Sequence, residues 1–513
     1  MLSLIKIVSE QKLVGKDQSA LDQLKSQKNP CFISEGVKVY KNSLYIKNNI
    51  LYFIAKLNEK KCLYLVSNKP FKSEFFGNIE KINSFYTQQV EMNYKNSLIL
   101  KKIFPFTAPI SLREKRTSFG CGDRLGLATP GHIRAAIQYD VYPVLAQQSI
   151  RELNLTNRNY KQVTSDVAFS VFQEGYERGY GADGDHLKTI KDIDIALEAG
   201  MPMITLDLTN VLHPEVMNWN EEKVNEEFDK IEINEKKRIL NTYADKEFNI
   251  KKVKLIINNL EAKQCALLYQ EALNFAQEVD EHLKKHRGDK YDLEISIDET
   301  TTPTLPIHHL FIINELNYRK ITINSLAPKF IGDFQKAIDY IGDIEEFEKS
   351  FKIHCEIADN YGKYKISIHS GSDKFSVYPL IGKYTDLHFH LKTAGTSWLE
   401  ALKCIAQYNP KLYRKIHAKA FEYYQEALKF YHITADISKI KSIEKVNDNE
   451  LIKYFNKDES RQLLHITYGG LLSDPEIRKP FFDTLNEFEE EHYQIVSNHI
   501  SKHMELLGMK KIK

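Results

Sequence analysis

Three histidines in this 513-residue chain share one local setting, each near the end of a short apolar run. They are His186 in YGADGDHLK (180–188), His369 in KISIHSGS (365–372) and His390 in DLHFHLKTAG (386–395). Imidazole nitrogens ligate zinc and its first-row neighbours, so residues with this shared placement predict a divalent-metal site acting on a small polar substrate. In the last run Leu387 and Phe389 alternate with His388 and His390, so both histidines share one face of a strand. The later one should stand nearer the strand's end, which favours His390 and leaves His388 in reserve. His213, His308, His354, His417 and His432 lack this setting and read as hydrogen-bonded core or surface groups. Other polar residues close further runs: Asp123 and Arg124 in FGCGDR (119–124), Gln147 and Gln148 in VYPVLAQQ (141–148), Asp207 in MITLDLT (203–209), Asp298 and Glu299 in LEISIDET (293–300).

Such residues meet only if a fold brings strand ends together. With ITINSLAP (321–328) there are eight apolar runs, separated by helical stretches such as Lys191–Ala199 and Phe334–Tyr361. Alternating βα units imply a parallel sheet, and eight imply closure into a (β/α)8 TIM-type barrel, whose C-terminal strand ends share one rim. The barrel is expected over 116–410. Residues 210–290 are too many for one connection, and their amphipathic segments predict a helical insertion after the fourth strand. Residues 1–115 read as a β-containing domain from runs such as Ile50–Ala55 and Cys62–Val66, with Tyr40, Tyr45, Tyr52 and Tyr64 as core. Residues 411–513 read as a helical extension.

Composition narrows the function. Lys+Arg 71 against Asp+Glu 69 gives a net charge of +2, with no field to draw the chain to nucleic acid or membrane. No apolar run approaches the ~20 residues that span a bilayer, and the first residues lack a signal-peptide pattern. Six scattered cysteines without a CxxC pair suit reduced thiols in the cytoplasm. Gly179-Tyr-Gly181-Ala-Asp-Gly184 matches GxGxxG, but a strand rather than a helix is expected after it, so no nucleotide cofactor is expected. There is neither a GxxxxGK[ST] loop nor a GxSxG elbow.

Several longer segments carry a resemblance. GDRLGLATPGHIRA (122–135), PVLAQQSIRELNLTNR (143–158), FQEGYERGYGADGDHLKT (172–189), IDETTTPT (297–304), LAPKFIGDF (326–334), SIHSGSDKFSVYPLIGKYT (367–385) and HLKTAGTSWLEAL (390–402) resemble the tagaturonate/fructuronate epimerase family. The likeness runs from roughly residue 115 to 430. It implies a metal-dependent epimerase of hexuronate catabolism that interconverts D-tagaturonate and D-fructuronate, with a keto sugar acid as its small-molecule partner. Asp185-His186 and His369-Ser-Gly-Ser are also similar to metal-binding strand ends of class II aldolases, where the histidine binds zinc and the preceding aspartate handles a proton.

The chemistry fits that implication. In ketose numbering the two sugars differ at C4, β to the ketone, where simple deprotonation is not assisted. Retro-aldol cleavage of C3–C4 and re-addition to the other aldehyde face would invert it, given a Lewis acid and groups that move the C4 hydroxyl proton. Asp185 and Glu299 are the candidate acid/base pair. His186, His369 and His390 are the candidate ligands of a zinc-like ion or of Mn, Fe, Co or Ni, with Glu299 equally able to complete the sphere. Asp123, Arg124, Gln148, Lys188 and Lys392 are the candidate substrate contacts, the cations suiting a carboxylate. A metal-dependent aldolase or ketose isomerase is the enzymatic alternative, and a sugar-binding regulator the non-enzymatic one. Homo-oligomerisation is compatible with the sequence.

Overall fold

The computed structural model describes every residue except 28, 252, 301, 432 and 513. His432 therefore lies outside the described residues. The eight apolar runs form strands β1 (Ser118–Gly120), β2 (Tyr142–Ser149), β3 (Gly181–Leu187), β4 (Met203–Asp207), β5 (Asp292–Ile297), β6 (Ser325–Pro328), β7 (Lys365–Ile368) and β8 (Phe389–Lys392). Each pairs in parallel with its neighbours, and β8 closes on β1. Alternation along the strands sorts their side chains. Phe389, Leu391, Ile204, Leu206, Leu293 and Ile295 join the apolar layer beneath the surrounding helices. The alternate positions face inward and are polar. Thr205 bonds Asp183 and Glu294, Ser325 bonds Glu294, Ser118 bonds His390, and Gln147 reaches Asp183. Burying polar groups is tolerable when they are paired, and this network positions the inward residues it joins beneath the rim.

Gly181 and Gly184 lie within β3, not at a strand-to-helix turn. A Cβ on Gly184 would stand 2.9 Å from the Ala196 Cβ, so this glycine permits close packing of the helix Ile190–Glu198.

Residues 210–290 depart from the expected purely helical insertion. The helices Glu221–Phe228, Ile233–Tyr243 and Asn259–Arg287 are joined by an antiparallel ribbon, Lys246–Ile250 with Val253–Ile257. Its residues alternate between exposed and covered positions, a two-residue period too short to stand out beside long helical segments. The expected helix Phe334–Tyr361 likewise begins only at Ile344, where the Asp343 side chain accepts from the Glu345 and Glu346 amides. Residues before it form a loop in which Gly332 (φ +83) and Gly342 (φ +153) leave room only for the Tyr340 ring.

Ahead of the barrel stands a seven-stranded antiparallel sheet with Tyr40, Tyr45, Tyr52 and Tyr64 buried. One face packs on two helices near the start of the chain, the other on Phe104, Phe169 and Phe172. Residues from Thr396 onward are predominantly helical, and the helix Glu489–Leu506 lies against the helix Thr129–Ala136 so closely that a Cβ on Gly131 would stand 2.8 Å from the Tyr493 carbonyl. Among the described residues no helix is long and apolar enough to cross a membrane. All six cysteines are buried free thiols.

Candidate metal and substrate site

The C-terminal rim opens on a cavity of about 340 Å³. Asp185 and His186 both line it, although neighbours on a flat strand would point to opposite faces. The chain solves this at His186 itself, whose φ is +55, and the β3–β4 register shifts between Gly184 and Leu187. The left-handed conformation costs a non-glycine residue about 1–2 kcal/mol. It brings His186 Nδ1 to 2.9 Å from Asp185 Oδ1 and leaves Nε2 to face elsewhere.

His369, just past β7, comes from the far side of the barrel, with its ring centroid 4.8 Å from that of His186. Its Nε2 is 2.7 Å from Glu294 Oε1. Its Nδ1 is buried 2.9 Å from Asp298 Oδ1. His186, Asp298 and His369 each present one ligand atom within 4.8 Å of the others. Each imidazole thus has a carboxylate behind it and a nitrogen turned to a common point, the arrangement that orients histidine on a metal. The donor set of two nitrogens and one oxygen fits a divalent cation. Burial opposes charge on both rings, yet Asp185 raises the His186 pKa, and Asp298 and Glu294 push that of His369 up to about 10. Burial would raise Asp298, but His369 and His186 hold it well below the usual carboxylate range. The acids here call for positive charge, which a bound cation would supply.

Four candidate residues are engaged by other groups or lie off the cavity. His390 lies one pleat deeper than the rim, fully buried, with Nδ1 3.0 Å from Ser118 Oγ and Nε2 3.3 Å from Gln147 Nε2. Burial pushes its pKa down to about 3, and Asp298 takes its expected place in the triad. The inward residue at the end of β8 is Lys392, which lines the cavity with its Nζ already paired. Its Nζ stands 2.6 Å from Asp185, 2.9 Å from Glu294, 3.1 Å from Asp183 and 2.5 Å from Thr205 Oγ1, bracing the acids behind both histidines. Asp123 accepts from the backbone amides of Leu125, Gly126, Ala128 and Thr129, so it shapes a loop. Gln148 is on the opposite face from the inward Gln147 and does not line the cavity.

Besides Asp185, His186 and His369, four expected residues line the cavity: Arg124, Lys188, Glu299 and Lys392. Lys188 Nζ lies between Asp207 Oδ2 at 3.2 Å and Glu299 Oε2 at 3.8 Å. Arg124 gives Nε and Nη2 to Glu152 and stacks 3.9 Å over the Tyr468 ring. Arg151, Lys336 and His465 also line the cavity and were missed. Lys336 sits in the loop that reads as helix, and His465 in the helix Asp458–Ile466, where a single histidine gives no signal. His388 precedes β8, farther from the rim.

A closed (β/α)8 barrel with a cavity of acids, cations and paired histidines at its C-terminal rim is an enzyme of the kind that works on small polar molecules. Comparison with known proteins specifies it. The family model described as tagaturonate epimerase, UxaE, matches residues 40–507. The chain is 40% identical over 475 residues to the tagaturonate/fructuronate epimerase of Thermotoga maritima, covering 92% of this chain and 97% of that protein. It is also similar to crystal structures of the fructuronate-tagaturonate epimerase UxaE from Cohnella laeviribosi. The form complexed with one glycerol is 41% identical and the native form 40%, each with TM-score 0.88 over 96% of this chain and 99% of the other. The chain belongs to the tagaturonate epimerase family and is an isomerase.

Proposed function

We propose that this enzyme interconverts D-tagaturonate and D-fructuronate by inverting C4, with a divalent cation held by His186, Asp298 and His369. The observation that carries the metal assignment is the convergence of one ligand atom each from His186, Asp298 and His369 within 4.8 Å, with a carboxylate behind each ring. Its N2O donor set suits zinc, or Mn, Fe, Co or Ni. When bound, the ion supplies Lewis-acid polarisation of substrate oxygens.

The protein's own groups do the rest. Asp185, gripped by His186 and Lys392, holds the imidazole in place and lines the cavity, where one carboxylate oxygen serves the C4 hydroxyl proton. Glu299 serves the opposite face, with Lys188 between it and Asp207. In the retro-aldol course the C4 hydroxyl loses its proton, C3–C4 breaks, and the electron pair passes to the three-carbon enediolate. Rotation of the aldehyde and re-addition restore the bond with C4 inverted. Arg124 and Lys188 are the substrate contacts. Buried free thiols suit the cytoplasm, where hexuronates are catabolised.

The test is direct. Purified enzyme with D-tagaturonate should yield D-fructuronate, chelation should abolish the conversion, and metal should restore it. Carried out in D2O, the reaction should leave no deuterium at C4. Deuterium at C4 would overturn the cleavage route, and full turnover by metal-free protein would overturn the metal assignment.

A further inference from the structure

His465 is 1% exposed and lines the cavity, yet neither ring nitrogen has a hydrogen-bond partner. Leaving a buried imidazole unpaired is costly, so its retention at a cavity wall needs a reason. Arg124 nearby is in the same condition: Nη1 is buried and unpaired, while Glu152 occupies Nε and Nη2. The two side chains converge on Gly395, just beyond β8. A Cβ there would lie 2.2 Å from His465 Cε1, 2.8 Å from Nε2 and 3.4 Å from Arg124 Nη2. Lys336 joins this wall, with Nζ 2.9 Å from Ser370 Oγ, and Arg151 lines it too. Of the acids lining the cavity, Glu152 bonds Arg124 and Asp185 faces Lys336, so the three cations Arg124, Arg151 and Lys336 outnumber the acids that face them. Burial and the neighbouring Arg124 and Lys336 keep His465 neutral, able to donate one hydrogen bond without adding charge.

We propose that Arg124, Lys336 and His465 form the subsite for the substrate carboxylate, and that it is completed by a segment outside the barrel. The helix Asp458–Ile466 carries His465, and Tyr468 just after it is the ring on which Arg124 stacks. This deepens the hexuronate reading above and rests on it. The acid end of the sugar lies along this wall, and the reacting carbons face His186, Asp298 and His369. The subsite sets the preference for a sugar acid over the neutral sugar of the same length.

Two unreactive probes that differ only in the acid group, D-galactonate and galactitol, isolate the subsite by calorimetry on metal-loaded enzyme. The wild type should favour galactonate. His465→Ala should shrink that preference roughly 10–100-fold, as expected for loss of a hydrogen bond to a charged group. It should raise KM for tagaturonate, largely spare kcat, and leave galactitol affinity and metal content unchanged. Gly395→Ala keeps the imidazole but fills the space beside it, and should act in the same direction. An unchanged preference in both variants, or an equal loss for both probes, overturns the subsite. Absence of tagaturonate turnover in the wild type overturns the epimerase reading instead, and the probe preference still decides the subsite.

Discussion

The histidines of the site depend on the groups behind them. Asp185 and Glu294 fix the two imidazoles, and Lys392 fixes both acids. His186→Ala or Asp298→Asn should leave the protein folded with reduced bound metal by elemental analysis. Lys392→Met should behave differently, since it strands Asp183, Asp185 and Glu294 without their cation. A loss of about 3–5 kcal/mol in denaturant unfolding is expected. A Lys392 variant of wild-type stability with only a raised KM would restore its role as a substrate contact. For Asp185→Asn, proton transfer predicts a loss of roughly 10²–10⁴-fold in turnover with metal retained. A purely positioning role predicts weaker metal affinity that excess metal rescues. Placement at strand ends made His186 and His369 legible as ligand candidates, because a barrel turns sequence position into spatial convergence. Depth was not legible. Alternation gives the shared face of His390 and Lys392 but not their depth, so the burial of His390 below the rim could not be read from it. His465 was invisible because a helix remote in sequence delivers it.

At the scale of elements, the site is made by departures from regularity. β3 could show Asp185 and His186 together only through a local turn, and the glycines nearby were the obvious place for it. The turn falls instead on His186, while Gly184 serves packing. A rim that must hold side chains to fractions of an ångström should be intolerant of added bulk. A Cβ on Gly122 would lie 2.6 Å from the Ala394 Cα and 2.6 Å from the Gln147 carbonyl, so Gly122→Ala must push the ends of β1 and β2 and the segment after β8 apart. A loss of about 1–3 kcal/mol is expected, with a drop in kcat/KM because Gly395 and Lys392 flank that segment. Wild-type melting temperature and activity in this variant would show that the segment yields freely. The eight strands were readable because each is a short apolar run between helical periods. The ribbon of 246–250 with 253–257 and the loop 331–343 were not, since neighbouring helical periodicity extends over both in any long window.

Across the whole molecule, the N-terminal sheet, a barrel helix and the helix Glu489–Leu506 are joined by charge. Glu489 meets Lys61 at 2.5 Å, Lys38 at 3.0 Å and the Tyr40 hydroxyl at 2.5 Å, while Glu490 meets Lys38 and Arg134, each at 2.7 Å. Burial alone would raise the Glu489 pKa, but Lys61 and Lys38 hold it well below its ordinary 4.5. A depressed carboxylate contributes stability above its unfolded pKa and loses it as pH falls toward the folded value. Glu489→Gln should therefore be less stable than wild type by on the order of 3 kcal/mol near neutrality, with the gap closing below about pH 4. Unfolding curves across that range check the sign, and a gap that widens in acid would contradict it.

That same junction bears on how the chain is made. During synthesis the strands bearing Lys38 and Lys61 leave the ribosome long before Glu489 exists. With domains emerging first-made-first, the early sheet must wait through the whole barrel for its partner, holding two lysines and a tyrosine with no acid to meet them. Contacts of such long sequence separation form late and slowly. The nascent chain therefore passes through a stage in which the barrel's strands are complete while the clamp across its helices is missing.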